Sequence, residues 1–437
     1  MKKYSLSALV AAGLLAGGLS VTSANAADLG GNCCADLEER IAELEATTAR
    51  KGNRKVSLTI SGWVAEQVMW WDDGHESNVY VGGIGSTLSS HVKFTGQATI
   101  SPGWTAGYVL HIEATGNENL VQNQFNDNAP IINGRNQAGA TVGGNVSLLQ
   151  SYWFLKSDHL GKVSIGLQSQ ASDNTAILVD GSGSLVPANW VLFDVNGFGV
   201  RNTDGSFTGL GIGGGFGGCS NMGGAGGDCN GLTENVVRYD SPTFGGFSFS
   251  SSWGEDDIWD VAARYAGEFG GFKLAAAAAY THSTDSGVGA LDLGQFDRSD
   301  ADYFQVGAYA QHVPTGLFIY GAYGNFENND TSDGVTAIGT NDIESDTFYI
   351  KGGLRQRWTP LGHTVLYGEY MEVETEFQNV DADRELEQFG LGVVQEVDAA
   401  AMSFWLSYKH FEFDSNEAGL ENLEDFDLVK FGALINF

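Results

Sequence analysis

Short turns and long loops alternate strictly along residues 56–437, and this alternation constrains the fold more than any other feature. Seven connections are short and carry turn residues, such as Ser101-Pro-Gly103, Phe269-Gly-Gly271 and Val313-Pro-Thr-Gly316. The connections between them are long and rich in Asp, Asn and Gly. A transmembrane barrel segregates its loops in this way, with turns on the periplasmic side and loops outside. A soluble sandwich has no reason to do so.

The connected segments are predicted as strands because their side chains alternate with a period of two. In the segment 88–100, Val92, Phe94 and Ala98 share one face, whereas His91 and Lys93 share the other. The alternation blurs in 363–375 and 401–412, for which contact between subunits would be one reason. The predicted strands are 56–71, 88–100, 103–115, 147–156, 162–169, 233–241, 247–253, 260–268, 272–281, 303–312, 317–326, 347–357, 363–375, 388–397, 401–412 and 427–437.

These segments predict an all-β chain folded as a 16-stranded antiparallel transmembrane barrel. Closure leaves no unpaired sheet edge in lipid, and about 16 strands enclose an aqueous channel rather than a filled core. The region 56–437 is therefore assigned to the barrel.

The two ends of the chain point to export and insertion. Residues 1–26 have a charged start, a short apolar stretch and a small-x-small cleavage site at Ala24-Asn25-Ala26, as in a secretory signal peptide. The last segment alternates up to an aromatic final residue, Phe437. It resembles the C-terminal strand that the barrel-assembly machinery recognises in outer-membrane proteins, so Phe437 is a candidate assembly signal.

Composition excludes one class of function. The chain has 22 Lys+Arg, two of them in the signal peptide, against 54 Asp+Glu, so the mature chain carries a net charge of about −34. A nucleic-acid partner is excluded because phosphate neutralisation needs basic patches. High Gly and aromatic content fits a transmembrane barrel, although a soluble β-sandwich shares these traits.

A short helix is predicted within residues 27–55. Asp36-Leu-Glu-Glu39 forms a capping box, and Leu37, Ile41 and Leu44 follow at coiled-coil spacing. Two heptads are too short to be stable alone. The helix is either a small trimeric coiled coil beneath the barrel or a frayed linker, and it is followed by a basic stretch up to Lys55.

Several motifs together resemble the alphaproteobacterial porin family, the general diffusion porins of the outer membrane. They include Lys55-Val-Ser-Leu-Thr-Ile-Ser-Gly62, Gln150-Ser-Tyr-Trp153 and Leu160-Gly-Lys-Val-Ser-Ile-Gly-Leu-Gln168. The resemblance covers the mature chain. It implies a homotrimer in the bacterial outer membrane, in contact with lipopolysaccharide and lipid, that conducts small hydrophilic solutes.

The same resemblance assigns residues 169–232 to the third external loop, which in such proteins folds inward and narrows the pore. Opposed charges across a narrow pore would create a transverse field. The acidic candidates on the loop are Asp173, Asp180, Asp194 and Asp204, with Asp228 in the same segment. The basic candidates on the wall are Lys93, Arg238, Arg264, Lys351, Arg355 and Arg357.

Four cysteines lie in two pairs. Cys219 and Cys229 enclose a Gly-rich stretch of the loop, and a disulfide between them is predicted in an oxidising periplasm. Cys33 and Cys34 are adjacent, so they are free thiols or bridge between subunits.

Catalytic and cofactor signals are weak. Gly209-Leu-Gly-Ile-Gly-Gly214 is not placed at a strand–helix turn, so dinucleotide binding is rejected. No enzyme and no cofactor is predicted. The loop acids Asp342, Glu344 and Asp346 are weak candidates for Ca²⁺ or Mg²⁺ ligands, and a solvated acidic rim is the favoured interpretation.

The function that follows is passive diffusion of small hydrophilic solutes and ions. The acidic loops predict a mild preference for cations, because an acidic mouth concentrates them. Two alternatives stay open: a substrate-selective sugar channel of the outer membrane, and a secreted or surface β-rich binding protein such as an adhesin or lectin.

Overall fold

The computed structural model describes residues 55–85, 88–114, 122–125, 146–219, 226–254, 257–284, 300–328, 343–377 and 382–437. The signal peptide predicted at 1–26, the helix predicted within 27–55 and Cys33 and Cys34 lie outside these ranges. Within them, no helix is long and apolar enough to cross a membrane.

Strands make up most of the described chain. In chain order they are β1 (Thr59–Asp72), β2 (Ser77–Gly82), β3 (His91–Ser101), β4 (Trp104–Glu113), β5 (Ser147–Ser157), β6 (Gly161–Gln168), β7 (Gly199–Arg201), β8 (Phe207–Gly211), β9 (Glu234–Asp240), β10 (Phe247–Gly254), β11 (Trp259–Phe269), β12 (Phe272–Ser283), β13 (Ala301–His312), β14 (Leu317–Asn328), β15 (Ile343–Gln356), β16 (Thr364–Phe377), β17 (Ala382–Val397), β18 (Met402–Ser415) and β19 (Phe426–Asn436). Helical turns cover Ile177–Val179, Ile212–Phe216 and Asp398–Ala400.

The main sheet closes on itself. β1 pairs with β19 in an antiparallel register that runs from Trp63 opposite Asn436 to Asp72 opposite Asp427. Phe437 completes the closure, since its N–H donates to Gly62 O at 3.0 Å and the Gly62 N–H donates to Phe437 O at 3.1 Å. Every other neighbouring pair is also antiparallel, and the closed sheet of described strands has no unpaired edge, as lipid requires of a spanning sheet.

The second strand of the wall is interrupted. β2 pairs with Gln67–Asp72 of β1, and β3 pairs with Thr59–Trp63 of the same strand. β2 and β3 are therefore two halves of one wall strand. The 17 strands of the sheet make a 16-stranded barrel, and the predicted fold is confirmed.

The sequence located the wall strands but missed several details. Each predicted segment contains a strand of the wall, yet β2 was not predicted. β17 begins at Ala382 rather than at 388, because charged side chains at the end of a strand can point outward above the apolar band. Inside 169–232, which was treated as loop, β7 and β8 form a small hairpin.

The two faces of the barrel wall differ in character. The outer face exposes Val64, Ile319, Leu391 and Phe431, each about half accessible, a pattern that suits lipid rather than water. A row of tyrosines borders this apolar band near the ends of the strands that carry the long loops. Tyr323, Tyr370 and Tyr408 donate to the carboxylates of Asp346, Glu387 and Asp427 at 2.5, 2.6 and 2.5 Å.

The opposite, inner face of β12–β19 is covered by part of the segment 169–232. Trp190, Phe198 and Phe216 of this segment pack in one buried cluster with inner-face residues such as Tyr349 and Trp405. This packing gives a physical reason for the blurred alternation of β16. Its inner face is apolar because it contacts the segment, while its outer end carries carboxylates.

Candidate functional site

The segment 169–232 is fixed to the inner face by hydrogen bonds between its own backbone and side chains of the wall. The N–H of Ala176 donates to Gln305 Oε1 at 2.9 Å, and Tyr320 Oη donates to Ala176 O at 2.9 Å. A glycine on the wall allows this close approach, since a Cβ on Gly307 would lie 2.4 Å from Ala176 O. β13 and β14 therefore hold the start of the segment.

One predicted acid and one predicted base meet directly. Lys351 Nζ lies 2.6 Å from Asp180 Oδ2, and both side chains have 0% exposure. The ammonium also donates to Ala188 O at 2.7 Å. A buried charge needs such pairing and hydrogen bonding to be tolerated.

A second predicted acid meets a base that the sequence reasoning missed. Asp194 forms an ion pair with Lys430 of β19, and Gln67 Nε2 donates to Asp194 Oδ1 at 2.8 Å. Burial acts to raise the pKa of Asp194, but Lys430 and the nearby Lys409 outweigh it and hold this pKa below its usual value. Lys430 lies on the lumen-facing side of the last predicted strand, so the alternation of side chains along that strand could have identified it.

Arg238 and Arg264 bind the backbone at the start of the segment rather than a loop carboxylate. Arg238 Nη1 donates to Ser169 O and Gln170 O at 2.9 and 3.0 Å, and Arg264 Nη2 donates to Ala171 O at 2.5 Å. Arg238 is also paired with Asp240 of its own strand at 2.8 Å. These arginines anchor the segment where it leaves β6.

Asp173 and Asp228 form a buried acidic pair near this anchor. Burial raises the pKa of Asp228 to about 7, and burial together with the charge of Asp228 raises the pKa of Asp173 well above its usual value. The Asp228 Oδ1 atom has no hydrogen-bond partner among the described residues. The pair is therefore most stable when it holds at least one proton.

The structure does not bring the remaining predicted residues to the same place. Asp204 is exposed, and its carboxylate accepts hydrogen bonds from Ser206 at 2.9 and 2.6 Å instead of facing a wall base. Arg355 pairs with Glu396 at 2.7 Å, and Arg357 pairs with Asp398 at 2.5 Å beside a short turn. Glu396 lies on β17 and Asp398 in the turn that follows it, and β16 separates both from β15. Each arginine thus reaches past one strand to an acid of the wall or its turn rather than to the segment.

Arg201, the only Lys or Arg in the sequence of residues 169–232, ties the β7–β8 hairpin to the end of β1. Its Nε lies 2.7 Å from Asp73 Oδ2, and its Nη2 lies 3.0 Å from Glu76 Oε2. Burial acts to raise the pKa of Asp73, but the hydrogen bond from Arg201 and backbone donors hold it below its usual value.

A disulfide closes the Gly-rich part of the segment. Cys219 and Cys229 are bonded, with their Cα atoms 4.8 Å apart, and both pack against Tyr303 and Phe326 of the wall. Tyr303 Oη donates to Gly227 O at 2.6 Å.

Of the suggested metal ligands, Glu344 and Asp346 lie on the outer face of β15. Asp342 lies outside the described residues, and Asp346 accepts hydrogen bonds from Tyr323 and from Asn325 on the outer face. A different group within the described ranges has ligand atoms within 4.8 Å of one another, namely His282, Asp300 and Asp302. These side chains are partly or fully exposed on the outer face.

Comparison with known proteins agrees with this architecture. A model of the Gram-negative porin family matches residues 7–416. The sequence search against curated proteins found no match.

Three solved structures illustrate the similarity of fold. The anion-selective porin from Comamonas acidovorans has a TM-score of 0.55 and 18% identity, over 87% of this chain and 100% of that one. Salmonella typhi OmpF in complex with daunomycin has a TM-score of 0.51 and 14% identity, over 88% and 98%. The trimer form of OmpT, an outer membrane protein of Vibrio cholerae, has a TM-score of 0.50 and 14% identity, over 87% and 99%.

At these identities the solved structures show the fold alone, and the family match carries the assignment. The protein crosses the bacterial outer membrane many times and is a diffusion channel rather than an enzyme. With its closed 16-stranded wall and a match that extends over residues 7–416, the chain belongs to the Gram-negative porin family.

Proposed function

We propose that the protein is a general porin whose water-filled lumen is narrowed by residues 169–232 and passes small hydrophilic solutes without selecting one of them. The observation that carries this proposal is the pairing of Asp180 with Lys351 across the inner face. Such pairs fix the segment to the wall, so that its position sets the width of the pathway. The motifs quoted above further favour the alphaproteobacterial branch of the family.

Liposome swelling tests this function. Purified protein in liposomes should admit small sugars, with a rate that falls steeply as the sugar becomes larger. Equal rates for a small and a large sugar would contradict a narrow pore. Uptake of one sugar far above others of its size would favour the substrate-selective alternative.

We propose a mild cation preference as a second property. Asp180 and Asp194 are each paired with a lysine, so they contribute little to the negative electric field in the pore. The proposed preference for cations therefore depends on the exposed carboxylates at the outer rim. The net charge of −32 supports an acidic mouth. A reversal potential under a KCl gradient tests it, and a clear preference for chloride would refute it.

We propose that three copies assemble through the outer face of β3–β6. Side chains on this face are uncharged and mostly apolar in the described strands, among them Phe94, Ala106, Leu110 and Ile165. The outer face of β15–β17, by contrast, carries Glu344, Asp346, Glu372, Glu374, Glu385 and Glu387. A face without charge suits burial against another copy, and the trimer form of the OmpT neighbour is consistent with this arrangement.

A further inference from the structure

The part of the inner wall that stays clear of the buried cluster is basic. The apolar cluster formed with residues 169–232 contains no residue of β3–β6 in the part of the chain that the structure describes. The inner faces of these strands instead carry His91, Lys93, His111, Lys156 and Lys162. Solutes that pass through the lumen therefore meet this basic side.

Lys93 and His111 lie directly opposite each other on β3 and β4. His111 has 7% exposure, and neither of its ring nitrogens has a hydrogen-bond partner among the described residues. The ring of His91 packs against that of His111 with centroids 4.2 Å apart, and its Nδ1–H donates to Ser89 O at 3.0 Å. His91 is thus satisfied, whereas His111 is not.

Lys93 likewise lacks a partner in the described part of the chain, in its case an acid of opposite charge. Within the described ranges it makes no ion pair, unlike Lys162, which lies 3.0 Å from Asp240. The nearest acid along the inner face of β4 is Glu113, whose Oε1 already accepts the Ser89 N–H at 3.1 Å. Gln150, opposite His111 on β5, donates to Ser169 Oγ at 3.3 Å.

The Lys93 ammonium is partly buried and can only donate, whereas a neutral His111 ring has one N–H donor and one acceptor nitrogen. Both ring nitrogens are buried without a partner among the described residues, which costs free energy. A group that serves both the Lys93 ammonium and the His111 N–H must accept hydrogen bonds, and two donors on adjacent strands suit a ligand with more than one charged oxygen. Chloride is a single atom and accepts without this geometric match, whereas an oxyanion can direct different oxygens at Lys93 and His111.

We propose that Lys93 and His111 form a binding site for a small oxyanion on the lumen wall. The inference rests on the proposed function, because it requires that β3–β6 line a water-filled pathway. An anion site does not conflict with a cation-preferring mouth. The preference between K⁺ and Cl⁻ depends on the average electric field along the pore, whereas binding of an oxyanion depends on the hydrogen-bond donors at the site. The site makes small anionic metabolites a solute class of this porin.

Single-channel recording with inorganic phosphate tests the site. Phosphate added to a KCl bath at constant pH should reduce the current of the wild-type channel in a saturable way. Lys93→Gln should raise the half-blocking phosphate concentration about tenfold, as expected for loss of a charge-assisted hydrogen bond. His111→Phe, which keeps a flat aromatic ring and removes both ring nitrogens, should raise it severalfold, and Lys93→Arg should retain most of the block.

Lys273→Gln is the matched control. It removes the same charge from β12 near a short turn, where Lys273 lies 4.0 Å from Glu268. Its half-blocking concentration should equal that of the wild type. A wild-type channel that phosphate does not block, or equal block in Lys93→Gln and Lys273→Gln, would overturn the site. If the wild type gives no stepwise current, the proposed function itself is wrong.

Discussion

At the scale of single residues, the segment 169–232 is held by buried charges that each have a defined partner. Lys351 and Asp180 are fully buried together, whereas Arg357 and Asp398 form a pair that is about half exposed on each side. The two pairs have the same chemistry and differ in desolvation. Only the buried pair should matter strongly for stability, because water screens the exposed one.

Lys351→Met should lower the free energy of unfolding by about 3–5 kcal/mol, because it leaves the Asp180 carboxylate buried without a partner. The double variant Lys351→Met/Asp180→Leu should recover most of this loss. Arg357→Met, the matched control at the exposed pair, should cost at most about 1 kcal/mol. Urea unfolding of the refolded barrel measures all three, and equal losses for Lys351→Met and Arg357→Met would contradict the argument.

The buried pair of Asp173 and Asp228 predicts a dependence on pH with a definite sign. A carboxyl whose folded pKa is raised binds a proton more tightly when folded, so stability falls as pH rises from its unfolded pKa to its folded pKa. For Asp228 this window extends from about 4 to about 7.

Asp228→Asn removes this titration and should flatten the loss of stability between about pH 4 and about pH 7. The measurement is the temperature at which the folded, heat-modifiable form disappears, taken at several pH values for the wild type and the variant. Asp204→Asn is the control, since Asp204 is exposed and lies outside the buried pair. A wild-type profile that stays flat over this range would refute the assignment.

At the scale of elements, close packing of the segment on the wall depends on a missing side chain. Gly307 of β13 leaves room for Ala176, whereas Gly321 of β14 has its nearest atom, Tyr349 O, 3.7 Å from the position of a Cβ. Two glycines on adjacent strands thus have different roles. Only Gly307 is required by the position of the segment.

Gly307→Ala should shift the segment, because its Cβ would lie 2.4 Å from Ala176 O. The expected result is an altered single-channel conductance and a lower unfolding temperature. Gly321→Ala, which meets only ordinary contacts, should keep the wild-type values of both. If both variants conduct like the wild type, the segment does not set the width of the pathway.

At the scale of the whole molecule, the two sides of the barrel differ in height and in charge. β3–β6 have 11, 10, 11 and 8 residues, whereas β15–β18 have 14, 14, 16 and 14. The outer face of the short side carries no Asp, Glu, Lys or Arg in its described residues. Short strands with an uncharged outer face suit the centre of a trimer. Longer strands with acidic ends suit the periphery, which faces lipid.

Ala106→Asp on the outer face of β4 should prevent trimer formation, since it buries an unpaired charge between copies. Ala278→Asp on the outer face of β12 introduces the same charge on the opposite side and should leave the trimer intact, although it weakens each barrel in lipid. Native gel electrophoresis with and without heating distinguishes the two variants. Trimers of Ala106→Asp would show that the copies meet elsewhere.

The sequence alone predicted the wall with little error and the site only in part. Strand periodicity is local, and so it identified the sixteen segments and the phase of inner-face residues such as Lys351 and Lys430. It could not tell which acid of a long loop lies opposite which base, because a loop has no period to follow. Arg238 was therefore expected to face a carboxylate of the segment but binds backbone oxygens.

By itself the sequence determined that this chain is a closed antiparallel barrel, because alternation along a strand and the lengths of connections are properties of neighbouring residues. Only the tertiary structure decided that the apolar part of 169–232 covers β12–β19 and that His111 and Lys93 of β3–β4 find no partner among the residues the structure describes. Contacts across the lumen join residues far apart in the chain. Their choice depends on how the whole segment packs, which no local pattern encodes.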